Sequence, residues 1–145
     1  MHPYPHHYKV SGAATAAGSV TLGSPGLPGI DSNSPPEFDG PGGFWSPETL
    51  LTAAVADCFI LTFRAVARAS KFEWKSLDVN VTGTLDRPAG AGASFTAFET
   101  HAKLVVAPGT DAARAKTLLE KAEKICLITA SLKGVNHLHT EVVED

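Results

Sequence analysis

Two residues dominate the chemistry available to this chain. Cys58 and Cys126 are its only cysteines. Each sits in a helix-like stretch among apolar neighbours. A single cysteine in that setting is usually a small buried hydrophobe. Two of them, far apart in sequence and both facing inward on helices that need the same core, are placed to meet. In a reducing compartment such a pair is more often catalytic, redox-active or metal-binding than a structural staple. The chain has no Cys-x-x-Cys, and two cysteines alone do not make a zinc site.

The charged residues near Cys58 set the terms for its reactivity. The thiolate, not the thiol, is the nucleophile; a nearby cation lowers its pKa and a nearby carboxylate raises it. Asp57 directly precedes Cys58, and Arg64 and Arg68 follow it. At about 100° per residue, Arg64 lies roughly 120° and Arg68 roughly 80° around the helix from Cys58. Neither shares its face, although in a dimer either one is a candidate to serve the partner's site. Their other reading is dipole pairing near a helix C-terminus. Glu48, ten residues before Cys58, is either a catalytic carboxylate or a first-turn complement to the helix dipole. His137-x-His139 points two imidazoles to one face of a strand, as two metal ligands do. The sequence positions no third ligand, and no metal is expected.

The elements that carry these residues follow from pattern. Ser46, Pro47 and Glu48 give a helix start with an N-cap, a first-position proline and an acid at the positive end. From Leu50 to Phe63 the only charge is Asp57, which predicts a helix buried on nearly every face. That run is read as too short and interrupted for a bilayer span, so no membrane association is expected. A second helix is predicted over 111–133. Its inward face carries Ala115, Leu118, Leu119, Ala122 and Cys126, its outer face carries lysines and glutamates, and Gly134 is read as its left-handed cap. Alternation predicts strands over 75–87 and 94–107, joined as a hairpin through Pro88–Gly92, and a last strand over 137–143. Short strands are expected over 8–14 and 18–23. A Pro- and Gly-rich connector over 24–43 is expected to hold one more, around 27–30. Phe44 and Trp45 precede the helix cap. They serve either as a hydrophobic staple or as pocket walls.

The element order predicts an α+β domain with an antiparallel sheet and two helices. With 145 residues the chain is expected to form a single domain, residues 1–145, with a substantial core. A net charge of −3 gives no general attraction to nucleic acid. The first eight residues lack the apolar segment of a leader, so a cytoplasmic location is expected. A helix apolar all round needs cover on its far side, and a second copy is the simplest source, so a homodimer is expected.

The stretch Trp45-Ser-Pro-Glu-Thr-Leu-Leu-Thr-Ala-Ala-Val-Ala-Asp-Cys58-Phe, followed by Ala122-Glu-Lys-Ile-Cys126-Leu-Ile-Thr, resembles the OsmC/Ohr family. This is the family of osmotically inducible protein C and the organic hydroperoxide resistance proteins. The resemblance runs from about Tyr8 to the end. It implies an OsmC-like fold with antiparallel sheets wrapped around two central helices in an intertwined homodimer. It also implies thiol-dependent reduction of organic hydroperoxides, with Cys58 attacking the peroxide, Cys126 resolving it, and Glu48 at the position of the family's glutamate. Phe44, Trp45, Phe59 and Phe63 would form the apolar walls that favour organic peroxides. No bound cofactor is implied; an external dithiol or lipoyl-type reductant restores the thiols. Two departures stand out. The family's peroxidases carry an arginine in the N-terminal strands, whereas this chain has none before Arg64, and Asp57 replaces a small neutral residue. Both predict a Cys58 pKa at or above the free value of about 8.5 and weak peroxidase activity at neutral pH. The other reading is an OsmC-fold dimer that binds a small apolar or thiol ligand with little peroxidase activity.

Overall fold

The computed structural model describes all 145 residues. They divide into two compact units, Met1–Leu50 and Leu51–Asp145.

The first unit holds a three-stranded antiparallel sheet, β1 (Ser11–Ala13), β2 (Val20–Gly23) and β3 (Ile30–Ser32), in that spatial order. Leu22 pairs with Ile30 and Val20 with Ser32. The sequence predicts the third strand around 27–30, but it starts where that range ends. The Leu27 N–H instead donates to Ser24 O at 3.1 Å and closes a turn, and Pro28 has no N–H to give a ladder. The helix start is as predicted. Thr49 N–H donates to Ser46 Oγ at 3.1 Å, and Ser46 N–H donates to Thr49 Oγ1 at 2.8 Å. This reciprocal pair satisfies two donors at a helix N-terminus. It explains how Ser46 can be only 1% exposed.

Helix α1 (Pro47–Ala69) runs on into the second unit. There follow β4 (Ser76–Asp86), β5 (Ser94–Val106), α2 (Ala112–Ile125), the single-turn α3 (Leu127–Ala130) and β6 (Val135–Glu144). Strands β4 and β5 form the predicted antiparallel hairpin, with a bulge at Thr84/Leu85. Strand β6 pairs with β5 in parallel, Ala97 with Val135 through Val106 with Glu144. The sheet is therefore mixed, not antiparallel as the sequence reading had it. The reason is the connection: β5 and β6 are joined by a helical crossover, which returns the chain in the same direction.

One core fills this unit. Phe59, Phe63, Val66 and Ala67 from α1 pack with Ala102, Leu104 and Val106 from β5 and with Ala115, Leu118, Leu119 and Ala122 from α2. Phe63 meets Trp74 edge-on, ring centroids 5.4 Å apart. The buried residues of α1 recur at three- and four-residue steps from Val55, so one stripe is covered rather than every face. Leu61 remains 51% exposed. Over its most apolar 18 residues the helix has a mean hydropathy of 1.8. By length and composition it is long enough to cross a membrane, which corrects the reading that it is too short. Its buried stripe is nonetheless engaged with β5 and α2.

Gly134 has no positive φ and does not cap the second helix, which has ended earlier. It lies where β6 begins beside β5, and a Cβ there would come 3.1 Å from Phe95 O. Gly83 makes room in the same way on β4. A Cβ there would lie 2.9 Å from Thr52 Oγ1, 3.0 Å from Phe95 Cε1 and 3.1 Å from Phe98 Cε1. Phe98 is 1% exposed and has nowhere to go. Gly83→Ala is therefore expected to destabilise the fold by about 1–3 kcal/mol. Urea unfolding should show a lower midpoint at constant m-value. An unchanged midpoint would mean that the aromatic pair yields freely.

Candidate active site

The sequence reading carries the second helix straight through Cys126. The structure stops it there. Cys126 has φ −62° and ψ 116°, outside the helical region, and is at once the C-cap of α2 and the N-cap of α3. Its own carbonyl is retained by the new turn, accepting from Ala130 N–H at 3.1 Å and from Thr129 Oγ1 at 3.2 Å. The first N–H groups of a helix have no partner within it. Here those of Leu127 and Ile128 donate to the Cys58 sulfur.

Cys58 therefore sits in a small cage of donors. The Cys126 thiol hydrogen-bonds to it, as do the two backbone N–H groups and the Thr62 hydroxyl, whose Oγ1 lies 3.8 Å from Sγ. Burial is the largest single influence on Cys58 and pushes its pKa up, because it disfavours the charged form. The four hydrogen bonds act the other way and together win, so the Cys58 pKa lies below the ordinary cysteine value. For Cys126 burial again comes first and raises the pKa. The bond that Cys126 donates to Cys58 raises it further, and the Thr129 donors only partly offset this. One thiol is thus prepared to ionise and its neighbour to keep its proton. Cys58 is half-buried and Cys126 is 1% exposed, so only the first is open to a reactant.

The direction of this shift runs against the sequence expectation, which has nothing lowering the Cys58 pKa. The sequence shows only formal charges near Cys58, an absent arginine and a present Asp57. Asp57 is exposed at the surface of α1, and neither Arg64 nor Arg68 is among the groups acting on the sulfur. Neutral donors stand in for a cation. Thr62 was legible, since it lies four residues on from Cys58 and shares its helix face. The Leu127 and Ile128 amides were not, because nothing in the local pattern marks a break at Cys126.

The remaining predicted residues divide. Phe59 and Phe63 are 2% and 0% exposed and belong to the core. They brace the helix and do not line an open pocket. Phe44 and Trp45 are 47% and 51% exposed. Trp45 is held at its backbone, by a bridge to Ser32 and by Asn33 N–H donating to its carbonyl at 2.9 Å. Glu48 is half-buried in the first turn of α1 and lines a cleft of about 480 Å³ in the first unit, with Ser32, Asn33, Pro35 and Phe38. No lysine, arginine or histidine lines that cleft.

Comparison with known proteins gives a consistent set of similarities. A family model described as OsmC-like protein matches residues 40–141. An uncharacterized protein of Bacillus subtilis, YmaD, is 30% identical over 116 residues, covering 74% of this chain and 73% of its own. An organic hydroperoxide resistance protein of Xanthomonas axonopodis is 33% identical over 104 residues, 70% of each chain. Among solved structures, an OsmC-like protein of unknown function from Vibrio cholerae superposes with a TM-score of 0.83 at 17% identity, covering 96% of this chain and all of that one.

The opposed shifts give a direct test. As pH rises, Cys58 should be alkylated by iodoacetamide before Cys126, with its inflection below that of a free thiol. Thr62→Val and Cys126→Ala each remove a donor to the thiolate and should move the Cys58 inflection upward. Mass spectrometry of alkylated peptides across pH 5–10 reads both sites. If Cys126 reacts first, or both inflect together, the assignment is wrong.

Proposed function

The chain belongs to the OsmC-like protein family, and from that premise we propose that it is a thiol-dependent peroxidase acting on organic hydroperoxides. The observation that carries the reading is the hydrogen-bonded cysteine pair with its pKa values driven apart. The Cys58 thiolate attacks the terminal peroxide oxygen, the O–O bond breaks, and Cys58 becomes a sulfenic acid. The alkoxide leaves and takes a proton to become the alcohol. The Cys126 sulfur then displaces hydroxide from the sulfenic acid, and Cys126 loses its proton. Water leaves and a Cys58–Cys126 disulfide forms. A dithiol reductant returns both thiols and is itself oxidised to a disulfide. No bound cofactor enters the cycle. The name carried by the Xanthomonas relative supports the substrate class.

A raised pKa suits Cys126 to its part. It stays a protonated donor while Cys58 reacts, and acts only after Cys58 is oxidised. The exposed apolar residues near the cysteines in sequence, Leu61 three residues after Cys58 and Ile125 and Leu127 on either side of Cys126, favour an organic over an inorganic peroxide. They are also the kind of surface a second chain covers. We take the working form to be a homodimer, in which a second copy covers the open side of α1.

Stoichiometric cumene hydroperoxide should consume two thiols per chain and leave one intrachain disulfide. Cys126→Ser should stop at the sulfenic acid or over-oxidise, and Cys58→Ser should leave Cys126 reduced. Both thiols intact after prolonged exposure would rule out the peroxidase and leave a dimer that binds a small apolar or thiol ligand. Separately, sedimentation of the reduced protein at micromolar concentration should give about twice the chain mass. A stable monomer would exclude the dimer.

A further inference from the structure

The face of the β4–β5–β6 sheet away from the core carries a cluster that the thiol chemistry does not use. Along β5 the outward residues are Glu99, His101 and Lys103; along β6 they are His137, His139 and Glu141. Parallel register sets Glu99 opposite His137 and His101 opposite His139. The His101 and His139 rings stack with centroids 4.4 Å apart, 11° from parallel. Glu99 Oε2 lies 3.9 Å from His139 Nε2. One donor atom from each of Glu99, His101 and His139 falls within 4.8 Å of the other two.

We propose that Glu99, His101 and His139 form a surface site for a zinc-class divalent transition-metal ion. Two imidazoles and one carboxylate are a donor set that zinc accepts, and His137 at the fourth corner of the block, or a water, completes four-coordination. Around zinc at about 2.0–2.1 Å per bond, neighbouring tetrahedral donors lie about 3.3 Å apart. The observed 4.8 Å limit therefore asks for small side-chain rotations, which exposed residues make freely. The three ligands include one carboxylate, so the set is unsuited to calcium or magnesium, which require several oxygen ligands. The adjacent cation does not oppose the ion strongly, because Lys103 Nζ is already 4.0 Å from Glu141 Oε1. The sequence alone shows only the pair His137-x-His139. The third and fourth donors come from β5, and only the parallel register brings them alongside.

Isothermal titration of the full chain with zinc chloride at pH 7.5 tests the site. One ion should bind per chain, and binding should persist after the thiols are alkylated with iodoacetamide. His101→Ala and His139→Ala should each weaken it by about tenfold or more, a loss at least as large as that from a changed partner of a metal ligand. Glu99→Gln should weaken it less. His6→Ala/His7→Ala should leave it unchanged. Circular dichroism of the variants separates loss of ligand from loss of fold. In the wild type, the imidazole NMR signals of His101 and His139 should shift with zinc and those of His6 and His7 should not. No binding, binding lost on alkylation, binding that follows His6 and His7, or unmoved His101 and His139 signals would each overturn the proposal.

Discussion

The thiol chemistry of the second unit depends on one backbone torsion. Had Cys126 kept a helical ψ, the amides of Leu127 and Ile128 would have bonded to carbonyls one turn back. They would have been spent inside a continuous helix. At ψ 116° they are released as donors and point to the Cys58 sulfur. α3 is only four residues long, so its macrodipole is small; the effect comes from individual N–H groups at close range. A buried thiolate with several donors is more stable than a buried thiolate with none, for the same reason that carboxylates accepting backbone N–H bonds become strong acids. The stabilisation needs no formal charge nearby.

The rest of the unit holds those parts in place. Phe59 adjoins Cys58 in sequence and is locked into the core, and Ala122, one turn before Cys126, is locked into the same core. The two thiols are therefore fixed by residues that do no chemistry. Thr129 contributes from the other side, holding the Cys126 carbonyl through its buried hydroxyl. Rigid support of this kind keeps a reactive pair in register better than a loop would.

Much of this is legible in the sequence, and the parts that are not share a cause. Strands β4 and β5, the start of α1 and the meeting of two cysteines follow from alternation, capping residues and a shared need for one core. What failed were inferences that depend on where the chain goes after an element ends. The parallel pairing of β6 is a property of the crossover, not of residues 135–144 themselves. The break at Cys126 leaves no local mark, since Ile125, Leu127 and Ile128 continue the apolar pattern. Phe59 and Phe63 were read as pocket walls because they neighbour a reactive residue, but a helix turns 100° per residue and takes them to the core. The donors that lower the Cys58 pKa are invisible in the sequence because formal charges can be counted there and backbone donors cannot.

The parallel strand has a kinetic meaning as well. α2 packs against β6. A parallel partner separated by a crossover is a non-local contact, and such contacts form late and slowly. While the chain is still being made, β4 and β5 can pair as a hairpin, but α2 has no β6 to lie on. The donors that activate Cys58 follow directly from the end of α2. A chain that has not yet closed its sheet lacks one of the surfaces that hold α2, and with it part of the support for the donors that follow α2. In this topology, the cysteine pair is held in part by a contact that forms slowly.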